Sequence, residues 1–133
     1  MSEVVSNVEE AVPAICGKVY NLEERTALFG EAAIDFLKKI RLTPITEPLV
    51  RQMVRSATSV GANYCEANDA GSPREFKYRL GICRRESKET KHWLRMLAKA
   101  DSETCAEGRI LWKEAQELNL VFSAILRKLE DKT

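Results

Sequence analysis

Histidine occurs once in these 133 residues, aromatic residues make up only 7% of them, and the formal charge at neutral pH is +1. Each scarcity closes a class of function. Glu89-Thr90-Lys91-His92 has the Glu-x-x-His spacing of carboxylate-bridged di-iron bundles, but such sites need a second copy of that motif and His92 has no companion. No Gly-x-Ser-x-Gly, phosphate-binding loop or nucleophile–base pair occurs either, so the chain is not expected to be an enzyme and no cofactor or metal is implied. Near-neutral charge provides no global field for nucleic acid or an acidic membrane, so a polyanionic partner would need a locally basic surface. No apolar run is long enough to cross a membrane. At the N-terminus, Glu3, Glu9 and Glu10 stand with no basic residue ahead of an apolar run, 11–16, that Pro13 interrupts, which does not read as a secretory signal. The four cysteines, Cys16, Cys65, Cys83 and Cys105, lack the paired spacing of zinc sites and read as reduced thiols in a cytoplasmic protein. Strand signals, internal repeats and low-complexity tracts are absent.

What is present is helical periodicity. The length suits one domain, and 44% hydrophobic with 31% charged residues is ordinary for a folded one. Asn21 begins a first helix, capped by its side chain with Glu24 reaching back, and the row Leu22, Phe29, Ala33, Phe36, Ile40 carries it to about Ile40. A second helix starts at Thr46 to Pro48, and its row Val50, Met53, Ala57, Val60, Tyr64, Ala67 runs to about Asp69 before Gly71. Ser72-Pro73-Arg74-Glu75 combines a capping box with proline at the first helical position, which predicts a third helix from Pro73 to Ala100. Along it Phe76, Leu80, Cys83, Ser87, Thr90, Leu94 and Leu97 alternate by four and three. Thr104 and Glu107 form a second possible capping box, ahead of Leu111, Ala115, Leu118, Phe122, Ile125 and Leu129. Short connections make sequential helices antiparallel, so residues 21–130 are expected to be an all-α, up-down-up-down four-helix bundle. Residues 1–20, broken by Pro13 and Gly17, read as an N-terminal arm.

Three sets of side chains stand out within this frame. Ser56, Ser59, Asn63 and Glu66 share one face of the second helix, where such residues need compensation by close packing. They read as a buried polar network fixing register against the third helix, with Arg55, Glu86 and Glu89 as partners, or as the lining of a binding groove. Residues 73–100 carry nine basic and three acidic side chains, so this segment is +6 and the remainder −5. Arg84, Lys88, Lys91 and Arg95 recur by four, three and four and form one stripe, a candidate nucleic-acid surface with Trp93 nearby for base stacking; otherwise it is a solvated face paired to acids. Trp93, Met96 and Trp112 fall beside the core rows and are candidate anchors of an oligomer interface.

Arg55-Ser56-x-x-Ser59-Val60-x-Ala62-Asn63-x-x-Glu66-Ala67, ahead of the Ser-Pro-Arg-Glu-Phe helix start, resembles the four-helix-bundle protein family encoded in 23S ribosomal RNA intervening sequences, over about Leu22 to Leu129. Ile82, Cys83 and Glu89 match the pattern of the family's third helix, whereas Arg85 and Glu86 stand where Gly-Ser is usual and Ala67 stands for Gly. The resemblance implies a homopentamer with a poorly defined biochemical role. A related branch, accessory proteins of diversity-generating retroelements, implies a second role as a nucleic-acid-binding partner of a reverse transcriptase. The expected function is therefore a self-associating binding or scaffolding module, with RNA or single-stranded DNA binding as the alternative.

Overall fold

Asn21 caps the first described helix of the computed structural model, which describes residues 21–131. Its side chain accepts the Glu24 amide at 3.0 Å, satisfying one of the donors that every helix start leaves open. Helix α1 spans Leu22–Lys38, α2 Thr46–Asn68, α3 Pro73–Ala100 and α4 Cys105–Glu130, with a 3-10 turn at Ser102–Thr104. No strand occurs among the described residues. The proposed arm, residues 1–20, and Cys16 within it lie outside them.

The start of α3 follows the sequence reading with one shift. Ser72 Oγ accepts the Glu75 amide at 3.2 Å, and Glu75 Oε2 accepts in return from the Gly71 amide at 3.1 Å, one residue before the capping serine. Thr104, by contrast, does not cap α4. Its hydroxyl donates to the Asp101 carbonyl at 3.1 Å while Asp101 accepts the Glu103 amide, so the 3-10 turn takes the place of the expected box. A mutual bridge between Thr43 and Thr46 opens α2: each threonine's side-chain oxygen accepts the other's amide, at 2.8 and 3.0 Å.

Every seam pairs a rising residue number with a falling one, which makes all four neighbours antiparallel. Across α1/α2 the contacts run Glu23 with Cys65, Thr26 with Gly61 and Gly30 with Thr58. Across α2/α3 they run Arg55 with Glu86, Ser56 with Thr90, Val60 with Cys83 and Asn63 with Arg79. Across α3/α4 Arg84 meets Asn119 and Lys91 meets Gln116, and across α1/α4 Arg25 meets Glu114 and Lys39 meets Glu107. This is an up-down-up-down ring of helices. The predicted apolar rows of α1, α3 and α4 are buried throughout, as is that of α2 beyond the half-buried Val50, and Phe76 and Phe122 are the largest wholly enclosed side chains. Full burial of each such ring contributes about 1.5–3 kcal/mol.

The seams differ in tightness. A Cβ on Gly61 would sit 3.3 Å from the Thr26 carbonyl oxygen, so α1 and α2 touch nearly backbone to backbone there. The α1/α4 seam is slimmer, closed at one end by Phe36 on Gly108 and at the other by Arg25.

Candidate functional site

Of the polar residues singled out on α2, Ser56 is fully buried, and its hydroxyl lies 2.9 Å from that of buried Thr90 on α3. Half-buried Asn63 donates to the Ser59 carbonyl at 2.9 Å and to its hydroxyl at 3.0 Å, and accepts from Arg79 Nη1 at 3.1 Å. Arg55 donates to Glu86 at 2.9 Å and also bonds Glu89, which takes the Trp93 indole N–H at 2.9 Å. These bonds join α2 to α3 as a ladder that begins dry at Ser56 and reaches water at exposed Arg55. Two members depart from the sequence reading: Arg55 is not buried, and Glu66 is exposed and outside the ladder. The reason is helical drift, since ten residues turn the chain so that Glu66 faces about 80° away from Ser56.

The basic stripe divides. Arg84, Lys88 and Arg95 are exposed, and no acid pairs with any of them among the described residues, whereas Arg25, Lys39, Arg51 and Arg55 each hold a carboxylate. Lys91 leaves the stripe. Half-buried, it hydrogen-bonds Gln116 on α4 and places its Nζ 5.2 Å from the centroid of the Trp112 ring, a cation–π contact. Arg84, Arg85 and Lys88 instead line a cleft of about 400 Å³ whose far wall is Asn119 and Ser123 of α4. Asn119 Nδ2 donates to the Arg84 carbonyl at 2.9 Å and reaches the Ser87 hydroxyl at 3.4 Å, which fixes the two walls relative to each other. The sequence reading missed Arg85, Asn119 and Ser123, because only the α3/α4 register brings them together.

Aromatic and apolar surface is distributed differently from expectation. Trp93 is half-buried against the protein's own core and Met96 is half-buried beside it, while Trp112 is 40% exposed. The most exposed aliphatic side chains among the described residues lie elsewhere: Ile110 at 70%, Ile45 at 67% and Leu42 at 61%, with Leu28 at 52%. Leu28, Phe29 and Ala32 of α1 face Ile110 and Leu111 of α4 across a groove of about 570 Å³. Buried Arg25 closes one end, its Nε and Nη2 donating to the two Glu114 oxygens at 2.8 Å each, and Nη2 also reaching Glu117 at 2.8 Å.

Neither Cys83 nor Cys65 is an activated thiol. Burial pushes the Cys83 thiol up to about 12, and its Sγ donates to the Val60 carbonyl at 3.5 Å. Exposed Cys65 is also raised, by local desolvation first and then by the carboxylates of Glu23 and Glu66. Among the described residues no group of three or more His, Cys, Asp or Glu could hold a metal ion, and no helix is long and apolar enough to cross a membrane.

Comparison with known proteins agrees with the fold. The family described as 23S rRNA-intervening sequence protein matches residues 31–128. A crystal structure of a protein of unknown function from the S23 ribosomal protein family, from Bacteroides thetaiotaomicron, is 26% identical with a TM-score of 0.69, the match covering 79% of this chain and 97% of that one. No curated protein matches the sequence.

Proposed function

Because this chain belongs to the 23S rRNA-intervening sequence protein family, we propose that it acts without catalysis, as a cytoplasmic bundle that assembles with copies of itself into a ring and serves as a binding or scaffolding module. The observation that carries this reading is the uncovered apolar surface. Leu28 and Ile110 flank the α1/α4 groove, and Leu42 and Ile45 project from the loop between α1 and α2. A groove and a projection are unlike surfaces, and unlike surfaces that pair head to tail generate a ring where the rotation between copies closes and a filament where it does not. The family resemblance favours five copies. Sedimentation equilibrium then gives about five times the 15.1 kDa subunit mass, and Ile110→Glu or Ile45→Glu each returns it to that of one chain. A wild-type protein that sediments as a monomer at high concentration overturns the assembly.

The second reading, nucleic-acid binding beside a reverse transcriptase or ribosomal RNA, has its own support. Arg84, Lys88 and Arg95 are exposed, and among the described residues no acid pairs with them, on a chain of net charge +1. Cations left without carboxylate partners retain the capacity to displace counterions from phosphates. A salt-titrated binding assay with RNA and single-stranded DNA separates this reading from pure scaffolding.

A further inference from the structure

We infer that the α3/α4 seam is a single-strand nucleic-acid track, in which Arg84, Arg85 and Lys88 hold the sugar-phosphate backbone and Trp112 stacks an unpaired base. This rests on the nucleic-acid reading above and assigns it a site, a register and an aromatic that the basic stripe alone does not contain.

The two walls of the seam are chemically complementary to one ligand. On α3 stand three exposed cations within five residues, none paired to an acid among the described residues. Across from them α4 presents Gln116, Asn119 and Ser123, neutral side chains where a carboxylate would have quenched the charge. On α2, by contrast, Arg51 and Arg55 find Glu47 and Glu86 at 2.9 Å. The cleft of about 400 Å³ has room for a phosphodiester and its sugar, and its walls are tied by Asn119, so the backbone needs little ordering on binding.

The same seam continues to Trp112. From Ser123 to Trp112 is eleven residues of α4, about 16 Å along the axis, which spans two to three nucleotides of an extended strand. Lys91 lies between, held by Gln116, with its charge over the indole. Its contribution is to position the ring rather than to meet a phosphate. Trp93, the aromatic nearest the stripe in sequence, is turned the other way, with its N–H on Glu89. A duplex keeps its bases stacked internally and cannot offer one to Trp112, which makes the track selective for single strands.

The test uses the full chain and labelled 12-mers of oligouridylate and oligothymidylate in fluorescence anisotropy from 50 to 200 mM salt, with inorganic polyphosphate and a duplex as comparators. Three phosphate contacts predict a log–log salt slope of about −2 for a single strand. Arg84→Ala/Arg85→Ala/Lys88→Ala flattens that slope and weakens binding more than tenfold. Trp112→Leu weakens it about fivefold or more with the slope unchanged, and Trp112→Phe restores part of the loss. Circular dichroism melts establish that the variants fold. No binding of either oligomer by the wild type sinks the nucleic-acid reading itself. Binding that survives the triple variant leaves that reading standing and overturns this site. Polyphosphate or duplex bound as tightly as the oligomers, or an inert Trp112→Leu, overturns the stacked base.

Discussion

Helix α1 has two neighbours and treats them in opposite ways. Toward α2 it presents Gly30 and Thr26 against Thr58 and Gly61, so the backbones close on each other. Toward α4 it presents Leu28, Phe29 and Arg25 against Ile110, Leu111 and Glu114, and the long side chains hold the helices far enough apart to leave a groove. One seam is stabilised by proximity, the other by a charged clasp and a partial apolar contact. A four-helix bundle therefore need not be equally packed on every side, and the loosely packed side is the one with surface left for a partner.

The comparison can be broken from the tight side first. Gly61→Leu drives a branched side chain into the Thr26 carbonyl, already 3.3 Å from where a Cβ would sit, and is expected to cost about 2–3 kcal/mol in chemical denaturation. A variant as stable as wild type would mean that the seam opens freely. On the loose side, Arg25→Met removes the clasp from Glu114 and Glu117, which are partly exposed and can regain water; about 2 kcal/mol is expected from the same measurement.

A smaller effect comes from the dry face of α2, where it meets α3. The folded state holds the Cys83 thiol at about 12 against 9.0 for an ordinary thiol, so folding favours its protonated form. Stability is complete below pH 9 and declines as pH rises from 9 toward 12, because the unfolded chain ionises first. Between pH 8 and 10 this amounts to about 1 kcal/mol, read as the difference between wild type and Cys83→Ala in their pH-dependent unfolding. Least of all, Lys39→Ala at the exposed bridge to Glu107 should change stability by under about 0.5 kcal/mol, since both partners remain in water.

Much of the architecture was legible because it is local. The row Leu111, Ala115, Leu118, Phe122, Ile125, Leu129 states its own period, and Ser72-Pro73 marks a helix start with groups that touch only nearby residues. Even so, Thr104 looked equally able to cap and does not, because Asp101 competes for the same turn. The candidate sites were less readable. Glu66 drifted off its row, and Lys91 abandoned the stripe for Gln116 and Trp112 on the next helix. Arg85, Asn119 and Ser123 share a cleft only once α3 and α4 are in register, which no periodicity within either helix encodes. Ile110 and Leu28 stand uncovered because α1 and α4 meet loosely, a property of the closed ring.

That closure also has a kinetic meaning. Arg25 and Glu114 are eighty-nine residues apart, while the Arg84–Asn119 contact joins neighbouring helices only thirty-five apart. Three hairpins can zip in succession before the chain's two ends must find each other, and the longest loop carries the largest closure entropy. The first and last helices are thus the final pair to lock, so Arg25→Met should hasten unfolding and leave the refolding rate untouched.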